Sequence, residues 1–81
     1  MVKWRYDERT CYNAICPNTG WELTIERIRI RNVKSKWALW IDDGGGERIE
    51  AGADAPKLTD AQRRFEIWIS QGSQGHLIGW I

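Results

Sequence analysis

Apolar and polar positions alternate with a period of two along most of this chain, the spacing of half-buried strands. Val2, Trp4 and Tyr6 alternate with Lys3 and Arg5. Folding the chain back about Glu8 sets Trp4 opposite Tyr12 and Val2 opposite Ala14, which keeps the apolar residues on one face. "PNTG" at 17 to 20 is turn chemistry, with proline pre-setting φ and glycine supplying positive φ. Pairing across it sets Ala14 against Leu23 and Tyr12 against Ile25. The alternation then changes phase between Ile25 and Ile28, so a β-bulge or a bend is expected near Glu26 or Arg27.

A tight hairpin through Lys34 to Trp37 would pair Ile30 with Ile41, Arg31 with Trp40 and Arg29 with Asp42. The next turn, "GGG" between Asp43 and Glu47, pairs Ile41 with Ile49, Asp42 with Arg48 and Trp40 with Glu50. Each arginine of this outer face then has an acid or an aromatic ring across the strand, a compensated surface rather than a free basic patch.

"TDAQ" at 59 to 62 fits a capping box, with Thr59 as N-cap. The stretch that follows is ambiguous. Ala61, Phe65, Trp68 and Ile69 share a helical face, with Gly72 placed to end the helix, yet "FEIWIS" also alternates like a strand. The strand reading pairs Ile67 with Trp80 and Ile69 with Ile78, and lays Trp68 over Gly79. The expected fold is therefore mainly β: an antiparallel meander of six to seven strands, barrel-like or sandwich, with one short helix near 59 to 64. The alternative is α+β, with a longer helix at 60 to 71 packed on the sheet.

The chain has 81 residues, enough for one domain and one core. No stretch reaches the roughly 20 apolar residues of a membrane span, and no secretory signal is visible, so a cytoplasmic location is expected. Twelve basic and 11 acidic residues leave a net charge of +1, which weighs against a dedicated polyanion binder and against an acidic nucleic-acid mimic. Cys11 and Cys16 are expected as free thiols, since five apart on a strand they would face opposite ways; a local disulfide across an irregular turn is the alternative, and with His76 they make too few ligands for zinc.

Catalytic chemistry is sparse. There is one histidine, no phosphate-binding glycine motif and no Ser-His-Asp or Cys-His arrangement, while "DDGGGE" has neither the Lys-Ser/Thr of a P-loop nor the ligand spacing of an EF-hand. No enzyme activity, cofactor or metal is expected. An activated Cys11 thiolate beside Glu26 and His76 would need a positive partner that the sequence does not supply.

Six tryptophans are the compositional anomaly. Trp4, Trp21, Trp37 and Trp80 fall on the apolar face; Trp40 and Trp68 fall on the polar one. Exposed tryptophan with arginine is the material of binding hot spots. The first reading is a protein-binding module, an inhibitor or accessory protein of bacterial or phage type, using Trp40, Arg31, Arg29 and Trp68. The second is single-stranded nucleic-acid binding, with Trp37 or Trp40 stacking bases and Arg27, Arg31, Lys34 and Lys36 tracking phosphates. Glycan binding by exposed tryptophan is third. A homodimer through a tryptophan on an edge strand also remains open.

Overall fold

The computed structural model describes residues 2 to 8, 11 to 29 and 35 to 73. Five strands, β1 (Arg5–Glu8), β2 (Cys11–Ile15), β3 (Glu22–Ile28), β4 (Lys36–Asp42) and β5 (Arg48–Glu50), form one open antiparallel sheet in sequence order, followed by a helix, α1 (Leu58–Ser70).

The β2–β3 pairing is as expected, with Ala14 opposite Leu23 and Tyr12 opposite Ile25. In the turn between them Gly20 takes φ 75°, and its amide donates to the Cys16 carbonyl at 2.8 Å. The β4–β5 pairing also matches, Ile41 facing Ile49 and Asp42 facing Arg48.

The β3–β4 register does not. Leu23 pairs with Ile41, Ile25 with Leu39 and Thr24 with Trp40, leaving residues 29 to 35 as the connection. The tight hairpin would have set Leu23 and Ile25 against Arg48 and Gly46, outside any core. Burying a large aliphatic side chain is worth about 1.5–3 kcal/mol. Doubling the length of a loop costs only about 0.6 kcal/mol. Burial therefore decides the register, and Leu23, Ile25, Leu39 and Ile41 are all fully buried.

That register is unbroken from Glu22 to Ile28, so the bulge expected at Glu26 or Arg27 is absent. The change of phase is absorbed at the strand end, where Ile28 falls on the outer face and Arg27 on the helix side. The irregularity sits in β1 instead, between Tyr6 and Glu8, and Tyr6 rather than Trp4 stands opposite Tyr12.

Residues 65 to 70 belong to α1, not to a strand. The short helix expected at 59 to 64 is the first half of a 13-residue one, close to the α+β alternative. An open sheet with one apolar face needs a cover, and the helical spacing delivers Ala61, Phe65 and Trp68 together onto that face. The hairpin of 65 to 70 with 76 to 81 is thereby excluded, and 76 to 81 lie outside the described residues. The described residues make a two-layer arrangement of one sheet and one helix, with no barrel closure among them.

Thr59 is not the N-cap; that position is Lys57, without a side-chain cap. The C-terminal end is as read. Gly72 at φ 99° donates to Ile69 O at 3.1 Å, and Ser73 N donates to Trp68 O at 3.0 Å, a Schellman ending.

Ser73 itself has φ 58°, unusual for a residue with a Cβ. A polar knot holds it there. Asn18 Nδ2 donates to Ile69 O at 2.8 Å and to Ser73 Oγ at 2.9 Å, while Cys16 Sγ lies 3.2 Å from Ser73 Oγ. The β2–β3 turn is thus fastened to the end of the helix. Burial acts to raise the pKa of the Cys16 thiol, but hydrogen bonds from the Ser73 and Thr19 hydroxyls and from the Asn18 and Thr19 backbone prevail, and the net direction is downward. Both cysteines are free.

Two outcomes are expected in urea denaturation. Asn18→Ala lowers stability by about 1–2 kcal/mol through the loss of both bonds, and Trp68→Ala by about 3–5 kcal/mol. Because the folded chain releases the Cys16 proton at lower pH than the unfolded chain does, the thiolate contributes stability that is full above the ordinary thiol range. That contribution is lost as pH falls through the lowered folded value. Comparing Cys16→Ala with the native chain across that range should show the difference between them shrinking toward lower pH.

Candidate functional site

The two faces of the sheet differ in kind. On the outer face a row runs Arg5, Asn13, Thr24, Trp40, Glu50, and the next runs Ile15, Glu22, Asp42, Arg48. Trp40 is on the polar face, as its alternation implied, but it is half-buried. The Arg48 guanidinium lies 4.6 Å from its ring centroid and reaches Glu26 at 3.2 Å. The Trp40 indole N–H is buried without an acceptor. Thr24 Oγ1 donates to Asn13 Oδ1 at 2.9 Å. This face carries Glu22, Glu26, Asp42 and Glu50 against Arg5, Lys36 and Arg48. Arg48, which the sequence set against Asp42, forms its ion pair with Glu26, and Arg29 stands away from Asp42.

Trp68 leaves the candidate surface altogether. It is 4% exposed, packed against Phe65 and stacked on Trp21 at 6.4 Å. Arg29 and Lys36 are exposed at the β3–β4 end, away from Asp42. Arg31 and Lys34 lie outside the described residues, so the expected Arg31–Trp40 pairing is replaced by Thr24–Trp40.

The helix-side face holds a second aromatic group that pairwise alternation did not reveal. Tyr6 and Tyr12 have ring centroids 5.0 Å apart, and Tyr12 and Trp37, both half-buried and packed against the core, 6.1 Å apart. The Arg27 guanidinium stands 6.0 Å from the Trp37 ring, with its Nε buried and without an acceptor. Tyr6 is 56% exposed and forms the open end of the run. Only the register, which brings β1, β2 and β4 together around β3, assembles these residues.

Hollows mark the surface of the described residues. One of about 230 Å³ is lined by Val2, Pro17, Glu66, Ile69 and Ser70, and one of about 220 Å³ by Arg5, Tyr6, Asn13 and Glu22. The first holds a hydroxyl and a carboxylate, Ser70 and Glu66, but the Ser70 hydroxyl donates to Ile67 O at 2.7 Å. Among the described residues no group of His, Cys, Asp and Glu is placed to hold a metal ion, and no helix is long and apolar enough to cross a membrane. Cys11 stands opposite Glu26, and His76 lies outside the described residues. Asp42 and Asp43 accept from the Gly44 and Gly45 amides in the glycine turn at 2.9 and 3.2 Å, a structural use of both carboxylates.

No family model matches the chain, and no curated protein or solved structure matches it either.

A double-mutant cycle on Arg48→Ala and Trp40→Phe should give a coupling of about 0.5–1 kcal/mol in stability. The same cycle on Arg29→Ala and Asp42→Ala should give none, since these residues are not neighbours.

Proposed function

We propose that this chain is a small non-catalytic binding domain that holds a single-stranded nucleic acid along its β3–β4 end. Tyr6, Tyr12 and Trp37 would offer aromatic surface to the bases, and Arg27, Arg29 and Lys36 cations to the phosphates. The observation that carries this reading is the β3–β4 register. It withdraws Arg29 from Asp42 and sets Arg27, Arg29 and Lys36 at one end of the β3–β4 pair, in a stretch of sequence from 27 to 36 that has five cations and no acid. Cations beside aromatic side chains on which bases can stack are the usual equipment for a strand bound without base readout. The compensated outer face has no comparable excess, which favours this end of the molecule over the flat of the sheet. The overall charge of +1 sets the scale: attraction is local, so binding is weak at physiological salt and steep in its salt dependence.

A protein partner is the second reading. It is favoured by Ile15, 55% exposed on the same outer face as Trp40, and would use Trp40 and Ile15 rather than Trp68.

Titration with mixed-sequence single-stranded DNA, followed by tryptophan fluorescence, should show quenching that weakens steeply with salt. Arg29→Ala and Lys36→Ala should each weaken binding to every sequence alike and reduce the salt slope by about one. Tyr6→Ala should cost about 1–3 kcal/mol of binding. Absence of any response at low salt overturns the proposal and turns attention to the Trp40 face, where Trp40→Ala and Ile15→Ala are the variants that matter.

A further inference from the structure

We propose that β5 is a self-complementary edge through which two copies of this chain join into one continuous sheet. Among the described residues β5 closes one side of the sheet and pairs only with β4. The amide of Ala51 donates to the Leu39 carbonyl at 2.8 Å, which fixes the phase of the ladder. In an antiparallel pair hydrogen-bonded and non-hydrogen-bonded positions alternate. Ile49 therefore exchanges its backbone bonds with Ile41, while the N–H and C=O groups of Arg48 and Glu50 point away from β4.

A second β5, run antiparallel about a two-fold axis through Ile49, meets those groups in register. Arg48 falls opposite Glu50 of the other copy, twice, and these are hydrogen-bonded positions. Ile49 falls opposite its own copy at the non-hydrogen-bonded position, where side chains approach most closely. Arg48 and Glu50 lie on the outer face and pair as opposite charges, and Ile49 is one of the large apolar residues left exposed, at 39%. Charge, hydrogen-bonding phase and apolar contact all agree on one symmetric register. Edge strands are ordinarily blunted by features that repel a copy of themselves; this one attracts it.

With three residues on each side the interface is small, so the dimer is weak and depends on concentration. It leaves the β3–β4 end uncovered and does not rest on the nucleic-acid reading.

Sedimentation velocity over a wide range of protein concentration, without nucleic acid, tests the idea, with circular dichroism to confirm that each variant is folded. The native chain should pass from monomer to dimer as concentration rises. Glu50→Arg places arginine opposite arginine and Arg48→Glu places glutamate opposite glutamate, so each alone should associate more than about tenfold more weakly. An equimolar mixture of the two should regain a dimer, because each charge then meets its opposite. Glu50→Pro should abolish the dimer while sparing the β4 ladder, since it removes only an amide directed outward. A native chain that stays monomeric throughout overturns the proposal. So does a native dimer that Glu50→Arg and Glu50→Pro leave unchanged.

Discussion

The pairing of Leu23 with Ile41 and of Ile25 with Leu39 is the constraint on which the rest of this molecule depends. These side chains form a continuous apolar square in the middle of the sheet, and Phe65 and Trp68 seal it from above. Shifting β4 by one residue would turn its half of the square to the outer face. The seven-residue shift of the tight hairpin would place Leu23 and Ile25 against Arg48 and Gly46. The same pairing decides what each charged residue meets. It brings Glu26 within reach of Arg48, puts Arg27 over Trp37, and sends Arg29 and Lys36 to the open end.

Much of this architecture was legible in the sequence wherever a turn announced itself. "PNTG" and "GGG" fixed two pairings to the residue, because glycine at positive φ allows few alternatives there. The β3–β4 connection has no such punctuation, and the shortest hairpin compatible with alternation was the wrong one. The competing arrangement differs in how much apolar surface reaches the helix, and that is visible only when the helix is in place. Residues 65 to 70 illustrate the same point from the other side. Their β-prone composition lost to the need of an open sheet for a cover, a tertiary demand that outweighs a propensity scale spanning only about 1 kcal/mol.

The candidate site was legible to a smaller extent. Trp40 did prove to lie on the polar face with an arginine above it, though the arginine is Arg48. Trp68 depended on the strand reading and fell with it. The Tyr6–Tyr12–Trp37 run was out of reach for a sequence argument, since its members come from three strands and two of the pairings were misassigned. Arg27 carried the one available signal, a cation at an apolar-phase position just before a run of further cations.

The polar knot of Cys16, Asn18 and Ser73 has a kinetic consequence. Neighbouring strands of the meander meet after short lengths of chain, so their ordering closes small loops. The bonds from Asn18 to Ile69 and Ser73, by contrast, join residues 51 and 55 positions apart. Loop entropy rises with the span to be closed, so these bonds follow the local ones in order. The sheet can therefore assemble as a template, with the helix settling from its first turn, near the Trp37–Ala55 bridge, toward Ser73. On this route the left-handed Ser73 is the final latch to engage and the earliest to open.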